Sequence, residues 1–255
     1  MRLAGAFLRA ANALVSFVTA LCLCTAGLYS VYALWDNSRV YSAAEDVQAD
    51  MIKLKPVVIE AGGASFEELL AVNRDVCAWI TIDNTNIDYP VLQGKTNLTY
   101  INTDVYGKFA LAGSIFLDSR NDRGFGDTCS LLYGHHMANG NMFGDLDKFE
   151  EESFFRKNKT GTLLLPDKTY DLEIYACLLV PASEDMIFDP QQYQDDINPL
   201  LDFVEQEALY YDAETVAALR QTNGGSQILA LSTCSSEFTD ARTIILTVMQ
   251  PHVSE

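Results

Sequence analysis

Hydrophobic and polar positions divide the chain into three regimes. From Ala10 to Trp35 the residues are almost continuously apolar. At a rise of about 1.5 Å per residue, this run makes enough helix to cross a hydrocarbon core of roughly 30 Å. From Asp36 to Ala64 the chain turns polar, rich in Ala, Asp and Glu, with a Gly62-Gly63 pair; Tyr41 to Leu54 reads as a helix running into Pro56. Beyond it, short apolar and alternating runs take over. Ser65-Phe66-Glu67-Glu68 predicts a short helix with Ser65 as N-cap and Glu68 completing a capping box. Strands are expected at Val76 to Ile82, Ile87 to Val91, Ser114 to Leu117, Thr128 to Tyr133, Thr162 to Leu165, Tyr170 to Val180, Ser226 to Cys234 and Arg242 to Met249. Helical pieces interrupt them at Met142 to Asn158 and in an acidic stretch from Pro190 to Arg220, where Leu200, Phe203, Val204 and Leu209 recur at helical spacing. About eight short strands with a few helices predict a closed or nearly closed β-barrel decorated by helices.

Charge sharpens the first regime and restricts the third. Arg2 and Arg9 precede the apolar run, Asp36 ends it, and Tyr29, Tyr32 and Trp35 cluster at its exit, where amphipathic rings favour a membrane interface. The positive-inside rule then puts the N-terminus in the cytoplasm and everything after Asp36 outside the cell. The Ser30-Val31-Tyr32-Ala33 ending also fits a cleaved signal, but the run is longer than a usual signal core of about 7–15 residues, which favours a retained anchor. Setting aside Arg2 and Arg9, the remainder carries 15 basic against 35 acidic side chains, a net charge of −20. A body this acidic has no basic stripe with which to neutralise phosphates, which argues against nucleic acid as a partner. Of the six cysteines, Cys22 and Cys24 lie in the apolar run. Cys77, Cys129, Cys177 and Cys234 are too irregularly spaced for a disulfide framework or a zinc site, although one bridge such as Cys129–Cys177 is conceivable in an exported domain.

The candidate chemistry gathers at strand ends. The strand ending in Leu231-Ser232-Thr233-Cys234 is followed by a polar connection, and β-branched residues resume at Arg242. Paired as a hairpin, these strands bring a thiol and a guanidinium to one rim of a sheet, the setting that makes a cysteine a usable nucleophile. A buried cysteine and a surface arginine explain the same stretch equally well. Tyr133-Gly134-His135-His136-Met137 likewise follows directly on an apolar strand, and with His252 it holds all the histidines of the chain. No cysteine or third histidine stands near at ligand spacing, so a metal site is not expected. A base near the thiol is what covalent cysteine chemistry requires.

These segments resemble the sortases, membrane-anchored cysteine transpeptidases of Gram-positive bacteria. Leu231-Ser232-Thr233-Cys234 with Arg242 eight residues on resembles their cysteine-to-arginine signature, and Tyr133 to Gly144 resembles the histidine segment of class B. Asn73 to Ile80 and Ile87 to Gly94 add supporting matches, and the likeness covers essentially residues 65–250. One departure is Ala230, where the family usually has Thr. The Asp-Pro-aromatic lid of class C lies upstream of the histidine; here Phe188-Asp189-Pro190 lies downstream, so it is not that lid.

The resemblance implies a mainly β fold: an eight-stranded sortase-type β-barrel with an N-terminal helical segment and a helical insertion before the cysteine strand. It implies an anchor over residues 1–35, a linker over 36–64 and a catalytic domain over 65–255. Cys234 becomes the nucleophile that attacks a threonyl carbonyl in a C-terminal sorting signal. His135 becomes the general acid and then base, and Arg242 the oxyanion stabiliser. Tyr133, Ser232, Asn97 and Tyr100 match positions that line the substrate groove. The implied partners are secreted proteins bearing a sorting signal and an amine acceptor on a cell-wall precursor or a pilin, with no cofactor. A secreted cysteine peptidase or cell-wall hydrolase would use the same Cys-His pair with water as acceptor. An L,D-transpeptidase is disfavoured because its nucleophile sits in Ser-His-Gly-Cys. A membrane-tethered binding module would make the Cys and His incidental.

Overall fold

A computed structural model of the chain describes residues 2–57, 65–222, 225–234 and 241–252. It divides into two compact units, Met1–Ala43 and Ala44–Glu255. One helix, α1 (Arg2–Ile52), makes the first unit and opens the second. Within the first unit its apolar side chains are exposed all round, as at Phe7, Leu14, Phe17, Leu23 and Leu28, and Arg39 lies over the Trp35 ring at 5.0 Å. By length and composition this helix can cross a membrane.

The second unit contains α2 (Glu67–Val72), β1 (Val76–Ile82), β2 (Asp88–Leu92), β3 (Ile115–Leu117) and β4 (Cys129–His135). A 3-10 helix at Gly144–Glu150, α3 (Glu152–Lys157), β5 (Thr160–Leu164) and β6 (Thr169–Pro181) follow. Then come α4 (Asp185–Phe188), a second 3-10 helix at Pro190–Tyr193, α5 (Asn198–Glu207), β7 (Ala208–Tyr211), α6 (Ala213–Thr222), β8 (Gln227–Cys234) and β9 (Ala241–Pro251). The sheet runs β5-β1-β2-β3-β4-β8-β9-β6-β7, and β5 also pairs with β6. Eight strands therefore close into the expected barrel. The short β7 hangs on the outer part of the long β6, pairing Cys177 with Tyr210.

Two of the barrel pairings are parallel, β2 with β3 and β4 with β8. A parallel pair cannot be joined by a tight turn and needs a long crossover. The first crossover, residues 93–114, contains no strand or helix and passes over one rim of the barrel. The second, residues 136–226, contains β5, β6, β7 and all the later helices. Leu200, Leu201 and Val204 of α5 and Val216 and Leu219 of α6 pack with Leu178, Ile228, Ala230, Ile244 and Leu246 in one core cluster. This cover buries β9 on both faces from Thr243 to Met249 and explains its continuous apolar run.

Local departures have physical causes. Ser65 does not cap α2. The N-cap position belongs to Phe66, which makes no capping bond but buries its ring beside Leu69 and Trp79, so burial decides where the helix starts. The stretch from Met142 to Asn158 splits into a 3-10 helix and α3, and β7 interrupts the acidic insertion between α5 and α6. Cys77, Cys129 and Cys177 are free and buried, so the conceivable Cys129–Cys177 bridge is absent. The Gly62-Gly63 pair and the 235–240 connection lie outside the described residues.

The end of α1 belongs to the second unit. Met51 is 2% exposed and sits in a cluster with Phe66, Leu69, Val76, Trp79 and Leu92. Around it, Gln48 donates to the Asn86 carbonyl at 3.0 Å, and Lys55 reaches Asp88 at 2.8 Å.

Candidate active site

The register of three neighbouring strands assembles the site. β4 and β8 run parallel and in step through seven pairs, from Cys129 opposite Ile228 to His135 opposite Cys234. Neighbouring strands lie about 4.8 Å apart, so the backbones of His135 and Cys234 are adjacent at the same rim. On the other side of β8, β9 is antiparallel, with Ser232 opposite Ile244. The same register carried two residues further sets Arg242 opposite Cys234. Arg242 is half-buried and its Nη1 donates to the Thr233 carbonyl at 3.5 Å. The hairpin reading of β8 and β9 is therefore correct in its strands.

Gly134 lets His135 sit where it does. A Cβ at Gly134 would collide with Ile115 Cδ1 and with the Phe143 ring at 2.7 Å. His135 Nε2 lies 2.6 Å from the Ile101 carbonyl in the 93–114 crossover. A carbonyl can only accept, so Nε2 donates and the neutral ring keeps Nδ1 as its base. Burial holds the His135 pKa below the ordinary histidine value; the hydrogen bond to Ile101 opposes this, and the nearby Arg242 charge adds to it. His136 faces elsewhere: its Nε2 is 2.6 Å from Asp147, and that hydrogen bond raises its pKa. The hydroxyl of Thr243, next to Arg242, lies 3.1 Å from the same Asp147 and 2.9 Å from Glu150, which share its single hydrogen. His252 pairs with Asp171 at the far end of the barrel.

A cavity of about 300 Å³ opens beside His135 and Arg242. Asn97, Leu98 and Ile101 of the crossover line it, together with Tyr133 of β4, Ser232 of β8, and Ala182 and Phe188 from the segment after β6. Three of the four expected groove residues thus come together. The Tyr133 ring stacks between Phe116 and Phe188, with ring centroids at 5.2 and 6.3 Å. Ser232 is fully buried, paired across the strands with Tyr133, and its hydroxyl turns to the Thr233 carbonyl at 3.1 Å. Tyr100 is not brought to the groove. Its side chain points into the core and donates to Asp75 at 2.7 Å, and burial pushes its pKa up to about 12.

Sequence reasoning missed the support beneath this cavity. Asp118, wholly buried, accepts bonds from Asn97 Nδ2 at 2.9 Å and Tyr133 OH at 3.1 Å on a single oxygen, Oδ2. Arg120 grips the same carboxylate through Nε at 2.9 Å and Nη2 at 2.8 Å. Burial alone would raise the Asp118 pKa; the Arg120 and Asn97 hydrogen bonds outweigh it and hold the carboxyl below its usual value. The available signal was Asp-x-Arg directly after an apolar strand, a buried-acid position with a fork-shaped donor two residues on.

Comparison with known proteins assigns the family. A family model described as "Sortase domain" matches residues 80–250. Sortase B of Listeria monocytogenes is 31% identical over 208 residues, covering 80% of this chain and 81% of that protein. Among solved structures, a Streptococcus pyogenes class B sortase involved in pilus biogenesis is 38% identical with a TM-score of 0.65, covering 73% of this chain and 98% of that one. Sortase B from Bacillus anthracis is 28% identical with a TM-score of 0.69, covering 84% and 99%. With a barrel of the same architecture and a family match over most of that barrel, this chain belongs to the sortase family, as a cysteine transpeptidase of class B.

Proposed function

We propose that the chain is a membrane-anchored transpeptidase that cuts a C-terminal sorting signal after Thr and joins the severed protein to an amine. The in-step pairing of His135 with Cys234, flanked by Arg242, carries this reading. The Cys234 thiol passes its proton to Nδ1 of His135 as its sulfur adds to the threonyl carbonyl. Arg242 donates to the oxyanion, and His135 protonates the departing amine, leaving a thioester. The acceptor amine then adds to the thioester, gives its proton to His135, and releases the thiolate. Splitting one amide exchange into two steps through a thioester is the general gain of nucleophilic catalysis, and a fixed cation at the oxyanion contributes about 10²–10³-fold.

Asn97, Tyr133 and Ser232 bind the sorting signal in the cavity, while Tyr100 supports the crossover from the core side. Residues 1–35 are the anchor with the N-terminus in the cytoplasm, 36–64 the linker, and 65–255 the catalytic domain outside the cell; within the linker, residues 44–54 dock on that domain. The acceptor is an amine of a cell-wall precursor or a pilin. The role of the S. pyogenes neighbour in pilus biogenesis supports including a pilin.

Incubating the detergent-solubilised full chain with quenched sorting-signal peptides tests the reading. The expected result is an intact-mass adduct equal to the acyl fragment, absent in Cys234→Ala, and a ligated product once an amine acceptor is added. Cleavage that survives Cys234→Ala overturns the mechanism. Hydrolysis indifferent to every amine would make the enzyme a peptidase instead.

A further inference from the structure

We infer that Asp118 and Arg120 are the positioning pair of the substrate groove, a role that rests on the reading of that groove as the peptide site. Five hydrogen bonds converge on the Asp118 carboxylate: Asn97 Nδ2, Tyr133 OH and Arg120 Nη2 on Oδ2, and Arg120 N and Nε on Oδ1. The carboxylate thereby links the 93–114 crossover to β4, both of which contribute to the cavity lining. The link is two-ended at Asn97, whose Oδ1 accepts from the Ser119 N–H at 2.7 Å while Nδ2 donates to Asp118. The amide plane is therefore fixed, and the second Nδ2 hydrogen has a set direction.

Arg120 extends the same unit to the third wall. Its Nη2 donates to the Phe188 carbonyl at 2.6 Å and its Nη1 to Asp189 at 3.3 Å, which holds the end of α4 and the Phe188 ring stacked on Tyr133. Gln93 adds a bond from Nε2 to the Asp118 carbonyl at 3.0 Å. One ion pair, buried at Asp118 and exposed at Arg120, thus joins three parts of the cavity lining without itself lining it. An ionised carboxylate at zero exposure is costly unless each lone pair is used, and here the users are the groove side chains themselves. An amide that keeps its oxygen at the Oδ2 position sets an NH2 group against Arg120 N and Nε, so both bonds at Oδ1 are lost. The pair acts on peptide binding rather than on bond making, because among the described residues its hydrogen bonds go to the groove and α4 and none goes to His135 or Arg242.

Steady-state kinetics of the full chain in detergent, normalised to titratable active-site thiol, separate this from a purely structural role. Asp118→Asn should raise KM about tenfold or more, the factor for roughly 1.4 kcal/mol of lost binding, while kcat per titrated site falls less than about threefold. Arg120→Lys keeps a charge beside Asp118 but loses the fork and the reach to Phe188; it should raise KM in the same sense, and it serves should Asp118→Asn not fold. Combined with Tyr133→Phe, the Asp118→Asn effect should be markedly less than multiplicative, since both act through one contact. An unchanged KM in the folded Asp118 or Arg120 variant, or full multiplicativity with Tyr133→Phe, overturns the inference. If Tyr133→Phe and Asn97→Ala themselves leave KM unaltered, the groove assignment has failed rather than the pair.

Discussion

His135 donates from Nε2 to the backbone carbonyl of Ile101, 2.6 Å away in the crossover that also carries Asn97 and Leu98. One wall of the peptide groove therefore sets the tautomer of the proposed acid-base group. The ring is also buried and close to Arg242, and its pKa is depressed. In the folded protein the neutral form is favoured. The associated stability is complete above the unfolded value of about 6.5 and is lost as the pH falls through the folded value. NMR titration of the His135 ring should give a midpoint below that of a free histidine. Arg242→Ala should move it upward, because a repelling charge is gone. A midpoint that stays put or falls would show that Arg242 does not act on His135.

Arg242 is placed by β9, opposite both Val180 and, by register, Cys234. Lysine at this position keeps a charge but not the planar fork of donors. Arg242→Lys should lower kcat by about 10²–10³-fold, the usual cost of losing an oxyanion donor. Its urea midpoint should stay near that of the parent, since the lost Thr233 contact is long at 3.5 Å. Retention of more than a tenth of the parental kcat would argue against oxyanion binding by this side chain.

Gly134 is the tightest backbone position next to the proposed dyad. In Gly134→Ala, the new methyl meets Phe143, fully buried, and Ile115, 1% exposed, neither with room to retreat. Overpacking of this kind costs about 1–3 kcal/mol. Equilibrium urea unfolding should show the midpoint falling with the slope unchanged, alongside a loss of activity larger than the unfolded fraction explains. Parental activity in the variant would mean that His135 tolerates displacement of its strand.

The thiols should differ sharply in reactivity. Burial pushes Cys77, Cys129 and Cys177 up to about 12, which leaves them almost entirely protonated at neutral pH. Native-state alkylation followed by peptide mass mapping should modify Cys234 and leave these three intact until denaturant is added. Rapid labelling of any of the three in the folded protein would contradict their packing.

Much of this arrangement was legible in the residues themselves. All eight barrel strands appear as short apolar runs whose limits fall within about two residues of the structure, and Cys234, His135 and Arg242 stand out because each closes, follows or opens such a run. Strand order was not legible: the parallel β4–β8 pairing joins segments separated by about 90 residues, and no local periodicity encodes it. Tyr100 was expected in the groove only because it matches a groove position of class B sortases, yet the crossover turns its side chain toward Asp75. Asp118 and Arg120 read as turn residues, since a charged residue after a strand is ordinarily solvated; only the fold reveals that the carboxylate is sealed under Tyr133 and Asn97.

The same limit applies to the polar stretch after the apolar run, whose composition reads as a linker. Met51 breaks that pattern: it is 2% exposed and packs with Phe66, Leu69 and Trp79, whereas Ile52 beside it is 44% exposed. Truncating a buried Met to Ala costs about 2–5 kcal/mol, but an exposed side chain usually changes stability by less than about 0.5 kcal/mol. Met51→Ala should therefore lower the thermal midpoint of the second unit by several degrees, while Ile52→Ala leaves it almost unmoved. Calorimetry on the two full-length variants compares them directly. Equal and negligible shifts would make residues 44–54 a passive tether, and the catalytic domain would then begin at residue 65; the expected inequality makes the end of α1 part of the barrel's own core.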